Sequence, residues 1–136
     1  MDMKKTVERV IELSRSVKEY WDRELPKRHP NYPWVNPGED SGPPPPEAKE
    51  LETLLFQLSP EEVFRLILVR NLGRRDFDTE NLLDQYDQIK EYIGNPVRAV
   101  YQMVRNPTLP DDLEDGMSRL TKAGIDVSQL FAEHAK

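Results

Sequence analysis

The chain has 136 residues, 19 Lys plus Arg against 25 Asp plus Glu, a net charge of -6 and no cysteine. That length fits one domain and excludes two full ones, and the missing thiols exclude disulfides, cysteine nucleophiles and cysteine-bound zinc or iron–sulfur centres. The acidic balance argues against nucleic acid as a partner, because such binders neutralise phosphates with a basic face.

Residues 1–25 form an amphipathic helix by spacing. Met3, Val7, Val10, Val17 and Trp21 recur at near-helical steps, Ile11, Leu13 and Leu25 widen the stripe, and the helix is expected to stop before Pro26. Residues 26–46 then hold eight of the twelve prolines, including the run from Pro43 to Pro46, which rules out helix and central strand. So long a connection reads as a functional loop or a semi-rigid polyproline spacer.

The four remaining prolines sit where helices are expected to begin. One helix spans about Glu47 to Leu58, with Leu51, Leu54, Leu55 and Leu58 facing inward. Ser59-Pro60-Glu61-Glu62 is a capping-box signature, and the helix it opens carries Val63, Phe64, Leu66, Ile67, Leu68, Val69 and Leu72. Apolar on nearly every face, this helix is expected at the centre, ended by Gly73 in the left-handed conformation.

Asp78 is the expected cap of the next helix, in which Leu82, Leu83, Tyr86, Ile89 and Ile93 repeat up to Gly94. Asn95-Pro96 opens another, with Val97, Val100, Tyr101 and Val104 apolar, and Asn106-Pro107 closes it. A further helix from Pro110 carries Leu113, Met117 and Leu120, ends near Gly124, and is followed by a last short helix from about Asp126 or Val127 that docks Val127, Leu130 and Phe131. No segment alternates as a strand does. The fold class is therefore all-α: a multi-helix orthogonal bundle in one domain over residues 1–136, with an N-terminal helix (1–25), a proline-rich loop (26–46) and a helical body (47–136).

No apolar run approaches the roughly 18 residues of a membrane span, and Met-Asp-Met-Lys-Lys is no signal sequence, so a cytoplasmic protein with no membrane partner is expected. Candidate chemistry is sparse. Asp76-x-Asp78-x-Glu80 resembles the start of a calcium loop, but Asn81 stands where that loop needs glycine and Asp87 where it needs a bidentate glutamate. Asp111, Asp112, Glu114 and Asp115 could suggest a metal or acid–base site, yet carboxylates in a first helical turn are explained by the helix dipole. His29 and His134 belong to no ligand spacing, and the basic run Arg65, Arg70, Arg74 and Arg75 is bracketed by Glu61, Glu62, Asp76, Asp78 and Glu80. No catalytic residue, metal ligand or cofactor is assigned.

Two short patterns carry a resemblance: Leu72-Gly73-Arg74-Arg75-Asp76 after an apolar helix, and Pro107-Thr-Leu-Pro-Asp-Asp-Leu-Glu-Asp-Gly116 followed by Met117 and Leu120. Over about residues 58–130 the chain resembles a small bacterial family known only as a domain of unknown function. That family's first pattern reads leucine-glycine-arginine-glycine-aspartate, so Arg75 replaces a glycine. In its second, a proline-leucine stretch leads to leucine-glutamate-glutamate-glycine, approximated here by Leu113-Glu114-Asp115-Gly116. The resemblance implies an all-helical fold and a bacterial source, with no catalytic residue to transfer.

The functional expectation is a non-enzymatic interaction or regulatory module whose partner is another protein or a second copy of itself. Its candidate binding residues are Tyr32 and Trp34 in the proline-rich loop, and Arg74, Asp76 and Glu114, with Arg74 expected to pair with Glu114. The alternative is a small metal-dependent hydrolase or metal-binding protein using Asp76, Asp78 and the carboxylates of Asp111 to Asp115.

Overall fold

Proline and capping residues set most of the element boundaries in the computed structural model, which describes residues 3–28 and 44–129. Those residues form α1 (Met3–Arg28), α2 (Pro46–Gln57), α3 (Pro60–Gly73), α4 (Leu82–Ile93), α5 (Pro96–Val104) and α6 (Leu109–Lys122). Short 3-10 turns lie at Thr79–Asn81 and Val127–Gln129, and there is no strand among the described residues. The chain is all-α.

The capping box at α3 is complete: the Glu62 N–H donates to Ser59 Oγ at 3.2 Å, and the Ser59 N–H donates to Glu62 Oε1 at 3.1 Å. Asn95 caps α5 by accepting from the Val97 N–H at 2.8 Å. Pro60, Pro96 and Pro110 occupy first turns, where the missing N–H has no intrahelical partner to lose, whereas Pro107 lies in the turn before α6.

Helix α1 does not stop before Pro26 but continues to Arg28. The prolyl nitrogen cannot donate to the Asp22 carbonyl, but so near the end of the helix that costs one bond and not a propagating ladder. Asp78 does not cap the next element through its side chain; its carboxylate pairs with Arg119 Nη2 at 3.3 Å. Leu83 lies about a quarter turn from the buried stripe of Leu82, Tyr86, Ile89 and Ile93 and is 40% exposed.

Helix α3 is the centre of the bundle, with Val63, Phe64, Leu66, Ile67, Leu68, Val69 and Leu72 all buried, and it packs on α4, α5 and most extensively α6. Helix α1 lays Met3, Val7, Val10 and Leu13 against α2 and α6, and Val127 closes that end of the core. Two glycines govern the α3–α6 crossing. A Cβ on Gly73 would overlap the Asp112 carbonyl oxygen and lie 2.9 Å from the Gly116 nitrogen; one on Gly116 would overlap the Val69 carbonyl oxygen and lie 2.9 Å from Val69 Cγ1. Gly73 is therefore not a left-handed helix end. It lies within α3, and the close approach of two backbones is what requires it.

The left-handed residue at this end is Arg75, with φ 63°. It stands where the resembling pattern has glycine. A side chain there costs about 1–2 kcal/mol, partly offset because glycine gains more entropy on unfolding. Arg75→Gly is expected to stabilise the protein by about 0.5–1 kcal/mol, read as a higher urea midpoint at unchanged m-value. A lower midpoint would contradict this account.

Arg119 ties α6 to the link between α3 and α4. Its Nη1 donates to the carbonyls of Leu72 and, at 3.2 Å, Phe77, and Nη2 reaches Asp78. Arg119→Met leaves the Leu72 carbonyl without this donor and is expected to cost about 1–3 kcal/mol, measured by the same titration.

Candidate functional site

Helix α3 and the residue that caps its end present Arg70 and Arg74 one turn apart, while α5 and the turn after it present Arg98, Tyr101 and Arg105 at i, i+3 and i+7. Because α3 packs on α5, the two rows meet in a cleft of about 680 Å³, which Gln102 and Asn106 complete. Four arginines thus line one recess of an acidic protein.

Arg70 is only 8% exposed, and its Nε and Nη2 both donate to Asn71 Oδ1 at 3.1 Å. Burial pushes its guanidinium below the ordinary arginine value, the like charge of Arg74 adds to this, and Asp112 and Asp76 oppose it. The side chain stays charged near neutrality, because arginine starts far above it. Among the described residues, Arg74 alone of the four has a carboxylate within 4.0 Å, Asp112 Oδ2 at 3.7 Å.

Tyr101, 42% exposed, stands edge-on to Phe56 with ring centroids 5.7 Å apart, and the Arg105 guanidinium lies 5.6 Å from its ring centroid. Asn106 accepts through Oδ1 from the Thr108 N–H at 3.0 Å. Its Nδ2 is a buried donor without a hydrogen-bond acceptor.

Of the residues singled out by sequence, Arg74 lines this cleft and pairs with Asp112, not with Glu114. Glu114 instead accepts from Arg15 Nη2 at 2.6 Å, a bond that raises the Arg15 proton affinity. The Asp112 side chain also takes a hydrogen bond from Thr108 Oγ1 at 2.8 Å, which aims it at Arg74. Asp76 is exposed just beyond α3 and does not line the cleft. Tyr32, Trp34, His29 and His134 lie outside the described residues. Asp111 lies 3.5 Å from Arg15, and among the described residues no group of three His, Asp or Glu side chains could hold a metal ion.

Arg98, Tyr101, Arg105 and Asn106 were not singled out by sequence. The available signal was the i, i+4 spacing of Arg70 and Arg74 beside the i, i+7 spacing of Arg98 and Arg105; the acids at 61 and 62 that seemed to cancel α3's charge sit at its opposite end. A second recess, of about 400 Å³, lies where α1 leaves the core and is lined by Val17, Trp21, Leu25, Leu51, Met103 and Pro107, among others.

A family model described as Protein of unknown function (DUF3775) matches residues 48–121, more than half of the chain, from α2 into α6, and includes every arginine of the cleft. No curated protein and no solved structure matches the chain. Among the described residues no helix is long and apolar enough to cross a membrane.

Proposed function

We propose that this chain, which belongs to the DUF3775 family of proteins of unknown function, is a non-enzymatic binding module that takes an acidic segment of a partner protein into its arginine cleft. The observation that carries the reading is Arg70: an arginine only 8% exposed as a residue, lining the cleft, with no carboxylate within 4.0 Å among the described residues. Burying a charge costs several kcal/mol unless it is paired, and an incoming anion supplies the pairing. Arginine and tyrosine are also the side chains that most often anchor protein interfaces. The carboxylates near the cleft, Asp112 and Asp76, offset part of its charge and leave an excess of cations.

Fluorescence anisotropy with a labelled pentaglutamate peptide tests the proposal. Arg98→Glu combined with Arg105→Glu is expected to weaken binding at least about tenfold, equivalent to 1.4 kcal/mol, because both residues face the cleft. Reversing Arg9 and Lys49, which lie in a different recess between α1 and α2, should change it less than about twofold. Equal losses in the two double variants would reduce the effect to net charge and remove the cleft from the mechanism.

A further inference from the structure

We infer that the group seated in the arginine cleft is a phosphate dianion, as carried by a phosphorylated side chain, in preference to a carboxylate. This rests on the reading of the cleft as an anion-binding surface and names its ligand.

Charge supplies the first argument. Four arginines line the recess, and Asp112 and Asp76 offset part of their charge, so a single incoming carboxylate still leaves cations in excess. A phosphorylated side chain brings about -1.5 to -2 charges and three acceptor oxygens to one point. Geometry supplies the second. Arg70 is fixed by its two bonds to Asn71, so part of its donor fork is already oriented when a ligand arrives. Guanidinium forks match phosphate oxygens bidentately, and arginines arriving from α3 and α5 can engage different oxygens of one tetrahedral group, which a planar carboxylate with two oxygens cannot match. Asn106, which lines both this cleft and the recess beside α1, adds a neutral polar residue to the wall.

The test uses the intact protein and two labelled peptides, Glu-Glu-phosphoserine-Glu-Glu and Glu-Glu-Glu-Glu-Glu, with unlabelled inorganic phosphate as competitor. At about pH 7.5 the phosphopeptide is expected to bind about tenfold more tightly. At about pH 5 the advantage should shrink, because the phosphate becomes a monoanion while arginine does not titrate. Arg70→Gln should erase the preference while pentaglutamate still binds. Should Arg70→Gln not fold, Arg105→Gln at the exposed rim gives the same reading, with the advantage at least halved.

Equal affinity for the two peptides in the wild-type protein overturns the phosphate assignment and leaves the binding module standing. Absence of binding by either peptide overturns both. If inorganic phosphate alone displaces the phosphopeptide at a comparable concentration, the dianion site is upheld and its source is a small phosphate compound, which overturns the protein partner.

Discussion

Gly116→Ala is expected to destabilise the protein by about 3 kcal/mol, and Gly73→Ala by a similar amount, although each adds a single methyl group. Both methyls would point into backbone: the Val69 carbonyl for one, the Asp112 carbonyl for the other. A side chain in the way can rotate aside, but a helical carbonyl moves only with its helix. The two helices would have to separate along the most extensive interface of the bundle, stripping Leu72, Leu113 and Leu120 of packing partners. Gly94 provides the contrast. It has φ 72° with nothing within 4 Å of an added Cβ, so Gly94→Ala meets backbone strain alone and should cost about 1 kcal/mol. Urea unfolding followed by far-ultraviolet circular dichroism ranks the three variants, and a Gly73→Ala cost no larger than that of Gly94→Ala would sink the crossing account.

Leu66→Ala should lose about 2–5 kcal/mol, the range for emptying a leucine-sized volume in a packed interior. Leu66 is 0% exposed on a helix covered by α4, α5 and α6, so neighbours on several sides must all relax for the void to close. Leu83→Ala, at 40% exposure on α4, should lose less than about 1 kcal/mol. The comparison separates hydrophobic content from hydrophobic position, since Leu83 lies about a quarter turn from the stripe that α4 buries, whereas Leu66 is enclosed. Comparable losses at the two sites would mean that α4 buries a different face from the one described.

Local chemistry explains why most helix boundaries were legible in the sequence. Ser59, Asn95 and the first-turn prolines act on backbone groups a few residues away, so their meaning does not depend on the rest of the fold. The central role of α3 was equally readable, because a helix with apolar residues on every side is stable only when surrounded. Gly73 was misread because two different physical causes, a positive φ and a close backbone approach, select the same residue, and only the position of α6 decides between them. The cleft was harder still. Arg70 and Arg98 belong to separate helices, and their convergence depends on how α5 packs on α3, which no local pattern encodes. The motif marks Arg74, but its acid is Asp112 and not Glu114: the two lie about half a turn apart on α6, which directs Glu114 toward Arg15 of α1.

The gathering of four arginines in one recess of a body with net charge -6 also gives the molecule two electrostatic ranges. At about 0.01 M salt, where fields reach roughly 30 Å, an approaching anion senses the whole acidic surface and is slowed. Near 0.15 M the reach contracts to about 8 Å, the distant repulsion fades, and the recess governs the last steps of approach. Association rates for anionic ligands should therefore rise before they fall as salt is added, unlike the monotonic decline of a uniformly basic surface. Such a profile favours encounter at cellular ionic strength and discourages loose adsorption of polyanions elsewhere on the protein.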